Sequence, residues 1–123
     1  MNNFDLPIPC WDVDENTQTI MVTSVIYLEV TRIKSTAKIK MYTANQEYIS
    51  KIQGSLESLE IMLEQFGFVR ADTGILVNIN HFSHFENDGY QRKKFCFNNS
   101  DKFVFCSRPS YSRLRLLLTD KGA

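Results

Sequence analysis

Ala37, Ile39 and Met41 alternate with Lys38, Lys40 and Tyr42, and a period of two marks a strand with one face in the core and one in water. Strand patterns of this kind dominate the chain and confine it to an antiparallel β architecture. The chain reverses near Ala44 and Asn45 and returns through 46–52 as the second arm of a half-exposed hairpin. Upstream, VTSVIYLEV at 22–30 is almost unbroken β-branched and aromatic sequence, which predicts a core strand covered on both faces. Further on, 94–97 and 102–105 predict a second hairpin across a polar turn at 98–101. A three-residue loop there sets Phe95, Phe97, Phe103 and Phe105 on one face and leaves Cys96 and Cys106 too far apart for a disulfide.

Two segments have a helical period instead. Ser55 can cap a helix on which Leu56, Leu59, Met62, Leu63 and Phe66 form the inner face, and Gly67 supplies a left-handed stop. From there 68–72 predicts a short strand, Thr73 and Gly74 a turn, and 76–82 a return to the core. The last helix is capped by Ser107 or Arg108 and entered through Pro109, with Tyr111, Leu114, Leu117 and Leu118 inside and Arg113 and Arg115 outside.

At 123 residues and 43% hydrophobic, without repeats or a linker, the chain is the size of one domain. Its 14 basic and 14 acidic residues cancel, yet Asp5, Asp12, Asp14, Glu15 and Glu29 all precede residue 30, where no Lys or Arg occurs. The body is therefore basic and the N-terminal segment acidic. No signal-like start and no long apolar run is present, which predicts a cytoplasmic protein without a membrane partner. Cys10, Cys96 and Cys106 are too few for a disulfide framework and are expected to be small buried side chains.

Catalytic signatures fail one by one. Asp12, Asp14 and Asn16 imitate the start of a calcium loop, but Thr17 and Thr23 stand where glycine and a bidentate glutamate are required. A zinc site assembled from His81, His84, Cys96 and Cys106 is outweighed by the simpler reading of His84 as a strand residue alternating with Phe82 and Phe85. No phosphate loop and no nucleophile–base pattern occurs. Neither an enzyme, a cofactor, a metal nor a small-molecule substrate is expected.

The basic residues gather where elements end. Arg32 and Lys34 lie in TRIKST between two strands, Arg70 precedes a turn, and Arg108 and Arg113 begin the last helix. Arg108 at a helix start, with Ser107, Ser110 and Tyr111 as neutral donors, suits phosphate oxygens.

The order from VIYLEV through the hairpin and GSLESLEIML to GFVRADTGILVNINHF and FCSRPSYSRL resembles the LytTR-type DNA-binding domain of bacterial transcription regulators, over about residues 20–118. The resemblance implies a mostly β fold with two short helices, several small antiparallel sheets packed side by side, and loops set into successive major grooves. It divides the chain into an acidic segment, 1–20, that packs on or flanks the domain, and the DNA-binding domain, 21–123. Carried over by residue, the first contacting loop holds Arg32, Lys34, Ser35 and Thr36. The second holds Asp72, Thr73 and Gly74 with Arg70 before it, and the third holds Arg108, Ser110, Tyr111 and Arg113. Asn78 is expected to bond a turn and not DNA. Asp72 and Thr73 depart from the family's usual basic or amide residues: a carboxylate is repelled by phosphate, and threonine cannot make a bidentate base contact.

The implied function is a sequence-specific transcription regulator whose partner is double-stranded DNA, with two copies on repeated half-sites and a possible homodimer there. The alternative is a LytTR-like interaction or self-association module with weak or no DNA binding. Deleting residues 1–20 is expected to disrupt assembly in the alternative and to spare DNA affinity in the first reading.

Overall fold

The computed structural model describes residues 4–89 and 92–122. Among these residues, ten strands form two antiparallel sheets, flanked by two α-helices and three short 3-10 turns. β1 (Pro7–Trp11), β2 (Thr17–Met21), β3 (Tyr27–Ile33), β4 (Thr36–Tyr42), β5 (Glu47–Ser50), β6 (Phe68–Asp72) and β7 (Ile75–Asn78) make the larger sheet, in the order β2-β1-β5-β4-β3-β7-β6. β8 (Phe82–Asn87), β9 (Lys93–Phe97) and β10 (Phe103–Cys106) make the smaller, in the order β10-β9-β8. α1 spans Leu56–Leu63 and α2 spans Arg108–Gly122. The fold is thus mostly β and antiparallel, with one wide sheet and one narrow one.

Alternation along the central strands explains the layering. Leu28, Ile39, Met41, Phe68 and Leu76 point to one face and pack with Leu56, Leu59 and Leu63 of α1. Tyr42, Ala71 and Val77 point to the other and pack with Phe95, Phe97 and Val104 of the small sheet and Leu114 of α2. Tyr27 lies on this second face, stacked on Tyr42 with centroids 4.1 Å apart and on Phe97 at 5.5 Å, so one ring ties the two sheets together. The acidic N-terminal segment is built into the larger sheet as β1 and β2, and Ile8 and Cys10 belong to its core.

Local details correct the sequence reading in five places. The apolar run at 22–30 is not one strand: Val22–Ser24 is a 3-10 turn, and β3 starts only at Tyr27. Val22 and Val25 enter the α1-side core and Ile26 the opposite one, so continuous apolarity here marks a corner wedged between two layers. The return at 76–82 is likewise broken: β7 ends at Asn78, Ile79–His81 is a 3-10 turn, and Phe82 opens a strand of the other sheet. The β9–β10 pairing sets Phe103 opposite Cys96 and Val104 opposite Phe95. Phe95, Phe97 and Val104 are therefore buried while Phe103 is 41% exposed, a one-residue slip that exchanges faces. On the helices, Met62 and Leu117 are exposed: Met62 lies at the rim of the α1 face centred on Leu56, Leu59 and Leu63, and α2 packs chiefly through Leu114. Cys10 is buried, but Cys96 and Cys106 are only half-buried, and all three are free thiols.

Ser55 caps α1 as expected, its Oγ accepting from the Ser58 N–H at 3.1 Å. Gly67 closes the segment at φ 95°, and a Cβ there would meet Asn80 Nδ2 at 2.7 Å.

Candidate nucleic-acid interface

Register places the three stations expected from the sequence at one end of the larger sheet. β3 and β4 pair continuously to Ile33 opposite Thr36, joined by Lys34 and Ser35 alone. Both turn residues have positive φ, 52° and 67°, the two-residue hairpin turn that follows strand twist. Arg32 therefore lies on a strand, not in a loop, and its guanidinium braces the turn by donating to the Ser35 carbonyl at 3.2 Å. β7 begins beside this hairpin with Ile75 opposite Glu29, and the Val30 N–H donates to the Gly74 carbonyl at 2.9 Å. The β6–β7 turn thus sits beside Val30, and the β3–β4 hairpin continues past it by three rungs, roughly 10 Å at 3.3–3.4 Å per residue. Ser107 completes the row, since its N–H donates to the Ala71 carbonyl at 2.9 Å and fixes the start of α2 beside β6.

Each station offers different groups. Lys34, Ser35, Thr36 and Arg32 are all exposed on the hairpin tip. In the second station Asp72 is consumed locally: its Oδ1 accepts from the Thr73 N–H at 2.8 Å and shapes the turn. Thr73 is exposed and Gly74 half-buried. Arg70 lies on the α1 side of the sheet, opposite Leu76, with its side chain only 16% exposed. Its Nη2 and Nε donate to Glu60 Oε1 at 2.7 and 3.2 Å, and its Nη1 donates to the Thr73 carbonyl. It holds the turn and is not displayed by it. At the third station Arg108 and Arg113 are exposed, while Ser110 is buried and its Oγ accepts from Arg113 Nη2 at 3.2 Å. Tyr111 is half-buried, edge-on to Phe85 at 4.9 Å. Arg70 and Ser110, both named from sequence as contacts, are thus turned inward by the fold.

Two cations that the sequence reading passed over join the third station. An open groove of about 790 Å³ runs along the start of α2, lined by Arg108, Tyr111, Arg92 and Lys93. The Arg92 guanidinium lies over the Phe105 ring, 4.0 Å from its centroid, with Nε donating to Asp88 Oδ2 at 2.7 Å, and the Lys93 ammonium lies 5.3 Å from the Tyr111 centroid. The signal available in the sequence was the alternation of β9, which sets Lys93 on the Phe95 side, toward α2. Among the described residues, Arg32, Lys34, Lys93 and Arg108 form no salt bridge.

The opposite end of the sheet is acidic. β1 and β2 are joined through Asp12, Val13, Asp14, Glu15 and Asn16, and this turn lies beside the β4–β5 turn, at the far end of β4 from Lys34. The neutral total charge therefore conceals a sheet with one basic and one acidic end. Asn78 is 1% exposed; its Nδ2 donates to the Val25 carbonyl and its Oδ1 accepts from the Asn80 N–H, both at 3.0 Å, so it bonds a turn as expected.

His84 does alternate along β8, but it does not stand alone, since Glu86 and Cys96 come close to it on the outer face of the small sheet. His81 and Cys106 point elsewhere: His81 Nε2 donates to the Thr23 carbonyl at 2.7 Å, and Cys106 packs inward, where burial pushes its thiol up to about 12. No helix among the described residues is long and apolar enough to cross a membrane.

Fold and site together define a β-rich domain that brings a basic hairpin turn and a basic helix start to one end of a sheet. The LytTr DNA-binding domain family matches residues 15–119, and the chain belongs to it, a family of DNA-binding domains and not of enzymes. Among solved structures, the chain is similar to the LytTr DNA-binding domain of a protein described as a methyl-accepting/DNA response regulator from Bacillus cereus. The TM-score is 0.68 at 20% identity, covering 95% of this chain and 98% of that one. No curated protein matches the chain. Family and fold make this a DNA-binding protein of the transcription-regulator type.

Proposed function

We propose that the chain is a sequence-specific transcription regulator of the cytoplasm that sets the β3–β4 hairpin, the β6–β7 turn and the start of α2 against successive major grooves of DNA. The observation that carries this reading is the alignment of all three stations at one end of the sheet, with Arg32, Lys34 and Arg108 outside any salt bridge among the described residues. A two-stranded ribbon fits the major groove, which is about 12 Å wide and 8.5 Å deep, so a three-rung overhang of roughly 10 Å reaches the base edges. Lys34 and Arg108 supply the phosphate and base contacts, with Ser35, Thr36, Tyr111 and Arg113 beside them. Arg92 and Lys93 extend the same surface. Thr73 and Gly74 contribute shape and one hydroxyl, while Asp72 and Arg70 set the turn's geometry and Ser110 that of the helix start. Selection from a random DNA library at two salt concentrations tests this: a shared motif whose recovery falls at the higher salt supports it, and no salt-sensitive enrichment contradicts it.

Self-association is the second reading, favoured by one observation. β2 is an edge strand, and its sequence TQTIM carries no charge to block pairing. Two copies joined or adjacent on repeated half-sites are compatible with both readings. Deleting residues 1–20 does not separate them, because it removes β1, most of β2 and the buried Ile8 and Cys10. Sedimentation of a Thr19→Lys variant does: edge pairing predicts that the wild type dimerises and the variant is a monomer.

A further inference from the structure

His84, Glu86 and Cys96 form a group on the outward face of the small sheet, distant in chemistry from the basic end. His84 pairs directly with Cys96 across β8 and β9, and Glu86 lies two residues along β8 on the same face. Their ligand atoms all lie within 4.8 Å of one another. His84 Nε2 donates to Glu86 Oε2 at 2.7 Å, and Nδ1 is 2.9 Å from Ser83 Oγ. The neighbouring cation, Lys94, stands opposite Glu86 but directs its ammonium over the Phe103 ring, 4.3 Å from the centroid.

We infer that this triad is a surface binding site for one divalent transition-metal ion of the zinc type, held by His84 Nε2, Glu86 Oε2 and Cys96 Sγ. Imidazole, thiolate and carboxylate are the donors zinc selects, at about 2.0–2.3 Å each, whereas calcium and magnesium require oxygen ligands. Atoms now within 4.8 Å of one another close on such an ion by side-chain rotation on a fixed strand pair. Ser83 provides the outer support: once the ion takes Nε2, the ring proton moves to Nδ1 and donates to Ser83 Oγ, which orients the ring. The Cys96 thiol gives up its proton to solvent as the sulfur–metal bond forms, so affinity rises with pH. Three protein ligands leave a fourth position for water. A bound ion clamps β8 to β9 and stabilises the folded chain by mass action.

Titration of the reduced, metal-free full-length chain with Co²⁺, a spectroscopic stand-in for Zn²⁺, tests the site. The expected result is one equivalent bound, with a thiolate-to-cobalt charge-transfer band and the intense visible bands of a four-coordinate ion, both removed by adding Zn²⁺. Cys96→Ser abolishes the charge-transfer band, His84→Ala and Glu86→Gln weaken binding about tenfold or more, and His81→Ala and Cys106→Ser leave it unchanged. Zn²⁺ also raises the thermal midpoint of the wild type and not that of Cys96→Ser. His84, Glu86 and Cys96 lie on the outward face whereas His81 and Cys106 do not, and circular dichroism checks that each variant is folded. Absence of a charge-transfer band at one equivalent, or its survival in Cys96→Ser, overturns the inference.

Discussion

In the proposed reading, Arg70 builds the basic end of the sheet and does not touch DNA. Replacing it with alanine removes two hydrogen bonds to Glu60 Oε1 and one to the Thr73 carbonyl, from a side chain that is 16% exposed. Hydrogen bonds to charged groups contribute about 1.5–3 kcal/mol each, but Glu60 is 38% exposed and solvent screening reduces that value considerably. The expected cost of Arg70→Ala is about 2 kcal/mol, which for a chain of this size lowers the thermal midpoint by about 8 °C. A double-mutant cycle with Glu60→Ala should return a coupling of about 1 kcal/mol. On DNA, the salt dependence of binding should keep its slope, because no phosphate contact is lost. A variant stable to within about 0.5 kcal/mol of wild type, whose salt slope drops by about 0.9, the value of one phosphate contact, would refute the assignment and return Arg70 to the interface.

Two further outcomes follow from the scaffold. Gly67→Ala forces a side chain into positive φ with its Cβ 2.7 Å from Asn80 Nδ2, and urea unfolding should show a loss of at least about 1 kcal/mol. Burial first, and the neighbouring Glu29 carboxylate second, push the Tyr27 phenol up to about 12 and Tyr42 up as well, from an ordinary 10.0. Above pH 10 the folded chain then holds protons that the unfolded chain releases, so this contribution to stability is intact below pH 10 and declines as pH rises toward 12. Urea unfolding in pH steps should show that decline, and Tyr42→Phe, which removes the hydrogen bond to Glu29, should flatten it.

Much of the scaffold is legible in the residues. Period-two alternation locates β4, the reversal at Ala44 and Asn45 leads into β5, Ser55 and Gly67 bound the first helical segment with β6 after it, and Pro109 marks the start of α2. What pattern alone cannot resolve is which layer covers which face. Val22, Val25 and Ile26 read as strand because both cores demand apolar residues at that corner. Phe103 reads as core because aromatic content outweighs the single-residue register that exposes it. The site follows the same rule. The exposure of Lys34 and Arg108 is legible because turns and helix starts are local features, whereas the inward bonding of Arg70 is not, because the position of Glu60 beneath it is a tertiary fact. His84, Glu86 and Cys96 are missed as a group because pairing across β8 and β9, and not spacing in the chain, brings them together.

The proposed DNA-binding surface is the basic end of the sheet. Its most direct test is the salt dependence of binding to a library-selected sequence, measured for wild type, Lys34→Ala, Arg108→Ala and a variant of the acidic end carrying Asp14→Asn and Glu15→Gln. Lys34→Ala should lower the slope by about 0.9, Arg108→Ala should weaken affinity by roughly 1–3 kcal/mol where it reads a base, and the acidic-end variant should bind as well as wild type or better. Unchanged affinity and slope in both Lys34→Ala and Arg108→Ala, with binding lost in the acidic-end variant, would contradict it.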